Sequence, residues 1–328
     1  DTTRMARVED LLAEEVEADR LMGAAIQVSH NGDVRTPLVV GRRRLDDQSA
    51  LVDLDTIFLV ASITKPVVVT AVVKLVEDGL VILDEPVTEY VSEFGQNGKE
   101  DVQVRHLLTH TSGLPDQIPE NRNYRVSKRP LTDFITRICE LPLSFEPGTR
   151  ISYQSAGIAM LGEICERVEG KALTTYLKEN LFDPLGLEDT MLKRSVRSER
   201  ESDVKIAGEG LTHGGLGTDF DWNSDYWRGF GAPWGGMLTT VGEMTRLLML
   251  FRNGGEFEGK RILSKRSVDM MIEDHSSRFS KMAARDRGHQ RWGLGWRLSG
   301  PNADVFGDLV SDNTFGHGGA TGTLAWVD

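Results

Sequence analysis

The sequence is poor in cysteine, contains no long apolar run and has no excess of positive charge. Two cysteines, Cys139 and Cys165, are too few for a disulfide framework, and both are flanked by apolar residues typical of helices. We therefore expect buried free thiols rather than a disulfide. No apolar run approaches the roughly 20 residues that span a bilayer, so we expect no membrane span. Acidic residues outnumber basic ones, 50 to 38, and the net charge of −12 argues against a nucleic-acid partner.

The chain also lacks internal repeats and low-complexity tracts. With 328 residues, of which 39% are hydrophobic and 27% charged, it is long enough to bury a large core as one domain. The first residues, Asp1 to Arg4, are polar and do not open a signal peptide. We expect a cytoplasmic location, or a periplasmic or secreted one if a leader was removed before Asp1. The sequence leaves the oligomeric state open.

A serine and a lysine precede the most apolar helix of the chain. Ser62 and Lys65 are three residues apart and Pro66 follows, which places the pair in a first helical turn. Residues three apart lie on the same face of a helix. A lysine held against an apolar wall can lose its proton and act as the base for the hydroxyl beside it. This arrangement predicts that Ser62 is a nucleophile.

The spacing alone does not decide the matter. Ser202 and Lys205 have the same spacing within a charged segment, and Ser62 could serve as an ordinary helix N-cap. Two other segments favour the catalytic interpretation. Tyr153 follows a Pro-Gly turn at the entrance of an apolar helix, and His317 lies in a glycine-rich strand near the end of the chain.

These segments and others resemble, in order, the serine β-lactamase and penicillin-binding protein superfamily, in its class C β-lactamase-like and esterase branch. The resemblance covers nearly the whole chain. The matching motifs are Ser62-Ile63-Thr64-Lys65, Leu75-Val76-Glu77-Asp78-Gly79-Leu80, Leu83-Asp84-Glu85-Pro86-Val87, Arg105-His106-Leu107-Leu108-Thr109-His110-Thr111-Ser112-Gly113-Leu114-Pro115, Pro147-Gly148 with Tyr153, Gly235-Gly236-Met237-Leu238-Thr239-Thr240 and His317-Gly318-Gly319.

The resemblance implies catalytic roles for three side chains. Ser62 is similar to the acylated nucleophile, Lys65 to its helix partner, and Tyr153 to the tyrosine that serves as general base or proton shuttle. The same match implies an oxyanion hole made of the backbone N–H groups of Ser62 and Ala320. It implies substrate contacts by a further set of residues, namely Ser155, His317, Gly318 and Gly319.

The chain departs from the family pattern at two positions. Ser155 stands where an asparagine is usual, which removes an amide contact to a substrate carbonyl. His317 replaces the lysine of class C β-lactamases, which removes a permanent cation suited to a β-lactam carboxylate. We expect both changes to favour esters, although a protonated His317 could stand in for the lysine at acidic pH.

The implied fold class is α+β, with an antiparallel β-sheet flanked by helices and an inserted all-helical lobe. We expect one catalytic domain over 1–328, its α/β part at about 1–60 and 237–328 and its helical lobe at about 61–236. The family continues with another strand and a C-terminal helix, which this sequence does not contain, so an exposed strand edge is expected.

Residues 208–236 are rich in glycine and aromatic residues. These aromatics could line an acyl pocket or hold the loop on the body of the protein, and the sequence does not separate the two. His213 within this segment is expected to be solvated. His106 and His110 have a spacing that suits a metal on a helix, but no third ligand is nearby. We therefore expect neither a metal nor another cofactor.

The sequence thus predicts a metal-independent serine hydrolase that forms an acyl-enzyme, most consistent with a carboxylesterase. The alternatives are a D-amino-acid-specific peptidase or weak β-lactamase, and a non-catalytic binding or scaffold homologue. The expected partner is a small ester, amide or β-lactam substrate. Because Ser62, Lys65 and Tyr153 are all retained, the enzyme interpretation is favoured over the scaffold.

Overall fold

The computed structural model describes residues 2–47, 50–205, 221–284, 286–287, 291–300 and 305–328. Its helices alternate with short antiparallel strands. The α-helices are α1 Thr2–Glu17, α2 Thr64–Glu77, α3 Val104–Leu108, α4 Asn121–Val126, α5 Leu131–Glu140, α6 Ser155–Glu169, α7 Leu173–Leu177, α8 Asp225–Phe230, α9 Val241–Arg252 and α10 Lys265–Met271. The strands are β1 Gly23–Ile26, β2 Ser29–His30, β3 Asp33–Val34, β4 Leu38–Gly41, β5 Phe58–Leu59, β6 Leu238–Thr239, β7 Glu256–Phe257, β8 Lys260–Arg261, β9 Arg297–Leu298, β10 Phe315–Gly319 and β11 Thr323–Val327.

The strands form small antiparallel sheets near both ends of the described chain. β10 lies between β11 and β9, while β1 pairs with β4 and β5 pairs with β6. Within the part of the chain that the structure describes, β10 is the only strand that pairs with β11. Seven of the ten α-helices of the described chain, α2 to α8, lie between β5 and β6, as the predicted α+β class requires.

The sequence predicts an N-terminal hairpin from residues 24–29 and 36–40, with Asn31-Gly32-Asp33 between them, and the structure confirms it. β1 pairs with β4 in antiparallel register, and the shorter pair β2 and β3 extends it to a tight turn. The turn residues Asn31 and Gly32 have φ angles of 53° and 91°, as the favoured two-residue hairpin turn requires. The apolar positions of residues 8–21 predict an amphipathic helix before the hairpin. The observed helix begins at Thr2 and ends at Glu17, earlier at both ends.

Helix α2 forms the centre of the core and carries the lysine of the Ser62 segment. It is rich in β-branched residues, and Val68, Val69, Val72 and Val73 are completely buried. Because such residues have a modest helix propensity, the stability of this helix depends on its burial on nearly all sides. Pro66 lies in its first turn, where the missing N–H group has no intrahelical acceptor.

The two cysteines are buried and free, as predicted. Burial raises the pKa of the Cys139 thiol to about 11 and that of Cys165 to about 12, so both remain protonated and unreactive at neutral pH. None of the helices among the described residues is long and apolar enough to cross a membrane.

The sequence of residues 292–298 predicts a strand, but in the structure this segment is mostly irregular. Only Arg297–Leu298 pairs as a strand, with an isolated bridge between Trp292 and Arg297. Gly295 lies between them with a φ of 74°, and a Cβ atom there would lie 2.8 Å from the Val69 side chain. The close approach of this segment to α2 therefore interrupts the strand.

Candidate active site

Three segments meet where Ser62 is placed. Ser62 lies in the 3₁₀ turn Ala61–Ile63 that leads into α2, and the preceding strand β5 pairs with β6. The Thr64 hydroxyl donates to the Ala61 carbonyl at 2.6 Å and accepts from the Met237 N–H at 3.0 Å. These bonds attach the turn to the segment that precedes β6. Ala61 has a φ of 45°, a strained conformation for a residue other than glycine.

The β10–β11 hairpin holds the same turn from the other side. The Thr321 hydroxyl donates to the Leu59 carbonyl at 2.7 Å, and the Thr323 hydroxyl donates to the Val60 carbonyl at 3.0 Å. A Cβ atom on Gly319 would lie 2.3 Å from the Val60 carbonyl oxygen, so only glycine allows this approach. Ala320 follows in the turn of the hairpin. The two predicted oxyanion donors, Ser62 and Ala320, thus lie on segments that pack against each other.

Lys65 contacts the Ser62 hydroxyl directly. Its Nζ lies 3.0 Å from Ser62 Oγ and 2.9 Å from the Trp234 carbonyl oxygen, and its side chain is 1% exposed. Burial lowers the pKa of Lys65 to about 7, although the negative charge of Asp116 acts in the opposite direction. A substantial fraction of Lys65 is therefore neutral at physiological pH and able to accept a proton.

Tyr153 lies on the other side of the lysine. Lys65 Nζ is 4.6 Å from the centre of the Tyr153 ring. Burial raises the pKa of Tyr153 above its usual value, while the neighbouring Ser62 hydroxyl partly counteracts this. The phenol therefore keeps its proton at neutral pH. The structure brings Ser62, Lys65 and Tyr153 together, and the lysine is the only one of the three whose pKa favours a base at pH 7.

The His110 segment holds the backbone on both sides of Tyr153 by hydrogen bonds. The His110 backbone carbonyl accepts from the Ser152 N–H at 2.9 Å, and its Nδ1 accepts from the Gln154 N–H at 3.3 Å. The two residues that flank Tyr153 are thus bonded to one histidine. The His110 ring packs 4.8 Å from the Tyr153 ring and 4.4 Å from the Trp292 ring. His110 positions the tyrosine, a role that its spacing from His106 did not reveal.

Gln154, which precedes helix α6, connects this helix to the segment from His106 to Ser112. Its Oε1 accepts from the Ser112 hydroxyl at 2.5 Å, and its Nε2 donates to the carbonyls of His106 and Leu107 at 3.3 Å each. His106 accepts the Gln103 N–H through Nδ1 at the start of α3. Both histidines of the motif therefore have structural partners. No cluster of metal-ligating side chains occurs among the residues that the structure describes.

His317 faces the tyrosine from β10. Its ring lies 5.9 Å from the Tyr153 ring and 5.7 Å from the Trp292 ring, and the residue is 4% exposed. Nδ1 lies 2.7 Å from the Gly318 carbonyl, which can only accept, so we assign the proton to Nδ1. Nε2 is buried, and none of the residues that the structure describes forms a hydrogen bond with it. Burial lowers the pKa of His317 to about 3, which argues against a cationic His317 at mildly acidic pH.

Ser155 is the first residue of α6 and is buried. Its hydroxyl donates to Asp116 Oδ1 at 2.7 Å, and its N–H donates to the same oxygen at 2.8 Å. The substrate contact predicted for Ser155 stays a prediction, since its hydroxyl is engaged with this carboxylate. Asp116, which sequence reasoning missed, comes two residues after the Gly113-Leu114 motif and is exposed. Only the tertiary pairing with Ser155 reveals it.

The second Ser-x-x-Lys pair does not form a comparable site. The Ser202 hydroxyl donates to the Asp203 carbonyl, and Lys205 Nζ contacts both the Asp19 carbonyl and the Asp19 carboxylate at 2.7 Å. Lys205 is thus engaged with the N-terminal region rather than with Ser202. This structural difference separates two sites that sequence spacing alone does not distinguish.

The described part of the 208–236 segment packs onto the protein. Trp222, Trp227, Phe230 and Trp234 are all buried, and Phe230 lies 5.0 Å from the ring of Phe134 in α5. Phe230 therefore packs α8 against α5, and the burial of the other three rings agrees with the interpretation that the aromatic residues hold this segment on the body of the protein. His213 and Phe220 lie outside the described residues.

Comparisons with known proteins identify the family of this chain. The family model described as Beta-lactamase matches residues 8–328. A protein of Escherichia coli O157:H7 that carries the name "Putative D-alanyl-D-alanine carboxypeptidase" is 28% identical over 303 residues, which is 83% of this chain and 66% of that protein. The chain thus spans slightly less than two thirds of the length of this relative.

Two solved structures have the same fold. A penicillin-binding protein homologue from Caulobacter crescentus is 23% identical with a TM-score of 0.79, over 99% of this chain and 88% of that one. A family VIII carboxylesterase is 24% identical with a TM-score of 0.79, over 98% of this chain and 88% of that one. The predicted fold class is therefore confirmed. The chain belongs to the beta-lactamase family of serine hydrolases.

Proposed function

We propose that this protein is a carboxylesterase-type hydrolase that forms an acyl-enzyme on Ser62. The observation that carries the proposal is the 3.0 Å contact between Ser62 Oγ and a buried lysine whose pKa lies near 7. Neutral Lys65 accepts the Ser62 proton while Oγ bonds to the ester carbonyl carbon. The N–H groups of Ser62 and Ala320 hold the resulting oxyanion.

The proton taken from Ser62 is passed to the leaving alcohol, and the same groups then serve the hydrolysis of the acyl-enzyme. The tetrahedral intermediate collapses, the ester C–O bond breaks, and the alkoxide takes a proton from Tyr153, which is replenished from Lys65. Water then attacks the acyl carbon, Lys65 accepts its proton, and Ser62 leaves with a proton returned by the same pair. Each half-reaction starts and ends with neutral Lys65, so no net charge accumulates.

The electrostatics of the cleft favour neutral esters over β-lactams. A β-lactam carries a carboxylate that needs a cation, and His317 remains neutral because burial holds its pKa near 3. Asp116, which accepts a hydrogen bond from the first residue of α6, adds a negative charge that repels this carboxylate. The same argument applies to a D-alanyl-D-alanine peptide with its terminal carboxylate, the substrate class that the E. coli relative's name suggests.

Covalent labelling tests the nucleophile. A fluorophosphonate probe should form one adduct on the peptide that contains Ser62, and Ser62→Ala should abolish both the adduct and p-nitrophenyl butyrate hydrolysis. Ser202→Ala is the matched control, because Ser202 has the same spacing to a lysine but is not paired with it. An adduct on Ser202, or one that persists in Ser62→Ala, would show that the nucleophile is wrongly assigned.

A further inference from the structure

The two oxyanion donors lie on segments that are not joined through their backbones. Ser62 belongs to the turn that follows β5, which pairs with β6, and Ala320 belongs to the turn between β10 and β11. Among the residues that the structure describes, no backbone hydrogen bond links residues 58–63 to residues 315–327. The separation of the two N–H groups therefore depends on side chains.

Two threonine hydroxyls form the hydrogen bonds that cross this gap. Thr321 Oγ1 donates to the Leu59 carbonyl at 2.7 Å, and Thr323 Oγ1 donates to the Val60 carbonyl at 3.0 Å. A hydroxyl has one proton to donate, so both protons are committed to the segment that precedes the nucleophile. Thr321 directly follows Ala320 in the chain. In the described chain these are the only hydrogen bonds between the two segments.

Gly319 leaves the space that these bonds need. A Cβ atom there would lie 2.2 Å from Thr323 Oγ1 and 2.3 Å from the Val60 carbonyl oxygen, which are the donor and the acceptor of one bond. The Gly322 N–H donates to the Gly319 carbonyl at 3.0 Å and closes the turn. Ala320 lies between these two glycines and is exposed, so a substrate can approach it. A short, closed turn thus presents Ala320 at a position that the threonines fix.

We propose that Thr321 and Thr323 are positioning residues that set the separation of the Ser62 and Ala320 N–H groups, and thereby the fit of the oxyanion hole to the tetrahedral intermediate. Neither hydroxyl needs to touch the substrate. Their effect is largest when negative charge forms on the substrate oxygen, because both N–H groups must then lie at hydrogen-bond distance from one atom. This inference rests on the proposed function, because it assumes a tetrahedral intermediate on Ser62.

Valine substitutions test the hydroxyl groups, because valine has a similar volume to threonine and no donor. Thr321→Val/Thr323→Val should lower kcat/KM for p-nitrophenyl butyrate by about 10-fold to 100-fold, less than the roughly 10²–10³ that loss of a whole oxyanion donor costs. Thr321→Ser/Thr323→Ser keeps both hydroxyls and should retain most of the activity. Thr245→Val is the control. It removes a hydroxyl that donates to the Val241 carbonyl in α9 at 3.0 Å, and it should change kcat/KM less than about twofold.

A matched pair of inhibitors separates positioning from a general loss of structure. Propylboronic acid forms a tetrahedral adduct in which Ser62 Oγ bonds to boron, the Ser62 proton passes to Lys65, and a boron-bound oxygen occupies the oxyanion hole. Butyramide has the same propyl group and binds with a neutral, trigonal carbonyl. The double valine variant should bind the boronic acid about tenfold more weakly and butyramide less than about twofold more weakly. Because both inhibitors bind only folded molecules, the ratio of their affinities does not depend on the stability of the variant.

Calorimetry measures both affinities without turnover, so the two proposals can fail separately. If wild type does not hydrolyse p-nitrophenyl butyrate but loses propylboronic acid affinity selectively in the double valine variant, the positioning role stands and the esterase function is wrong. Equal weakening of the two inhibitors, unchanged binding of propylboronic acid, or the same selective loss in the double serine variant would overturn the positioning role. The absence of a boronic acid adduct in wild type would also overturn it.

Discussion

Replacing Lys65 by methionine should stabilise the protein at neutral pH while abolishing turnover. The lowering of the Lys65 pKa from 10.5 to about 7 corresponds to about 5 kcal/mol of unfavourable burial for the charged form, at 1.36 kcal/mol per pH unit. Methionine has a similar length and no charge. Its introduction leaves the Trp234 carbonyl without its Lys65 donor, which costs about 1–3 kcal/mol. We expect a net gain of about 2–4 kcal/mol in the free energy of unfolding at pH 6.5.

The pH dependence of this gain identifies its cause. Between pH 7 and 10.5 the unfolded chain binds a proton at Lys65 that the native protein has released, so wild-type stability rises with pH in this window. The methionine variant has no such group. The advantage of Lys65→Met should therefore fall by about 3 kcal/mol between pH 6.5 and 9.5.

Urea unfolding of wild type and variant at four pH values across this range measures the difference directly. Because other titrating groups are shared, their contributions cancel. Lys265→Met is the control, since it removes a lysine whose side chain is 74% exposed from α10 and should show a much smaller change with pH. A difference between Lys65→Met and wild type that stays constant with pH would refute a buried lysine with a lowered pKa.

Three further outcomes follow from the site. Tyr153→Phe should lower kcat by about 10²–10⁴. The double variant with Lys65→Ala should lose less than the product of the two single losses, because the two residues act on the same proton. A loss of kcat in the double variant equal to that product would contradict a shared proton path. The ratio of kcat/KM for p-nitrophenyl butyrate and a chromogenic cephalosporin should stay above one from pH 5.5 to 8 without narrowing, because His317 remains neutral; a cephalosporin gain at acidic pH would contradict this. Gly319→Ala should lower the free energy of unfolding by about 1–3 kcal/mol, because its Cβ atom would lie 2.3 Å from the Val60 carbonyl oxygen. Gly318→Ala is the control and should have little effect, because the nearest atoms to its Cβ lie 3.8 Å or more away. Equal losses of the two variants in denaturant unfolding would contradict the packing argument.

Local patterns were sufficient to predict the elements around Ser62. The position of Pro66 predicted the start of a buried helix, and α2 begins at Thr64 as that placement requires. The Asn31-Gly32 turn predicted the N-terminal hairpin. These features depend on short-range chemistry, namely the restricted backbone of proline and the positive φ angles that glycine and asparagine tolerate.

Other parts of the site depend on contacts between distant residues. The Asp116 carboxylate is exposed and follows a motif whose own role is structural, so only its bonds to Ser155 place it beside the cleft. The Trp234 carbonyl is a backbone group and has no sequence signature. The lowered pKa of His317 likewise results from burial near Lys65, which periodicity does not encode.

The depressed pKa values explain why one lysine can serve as the base among several candidates. Burial lowers the pKa of His110, His317 and Lys65, and the charge of Lys65 contributes to the lowering in both histidines. A proton that leaves Ser62 therefore has several nearby acceptors, but Lys65, at about 7, has the highest affinity of the three. Asp116 increases this affinity further by its negative charge. The proton consequently remains on Lys65, next to the oxygen to which it must return when the acyl-enzyme is hydrolysed.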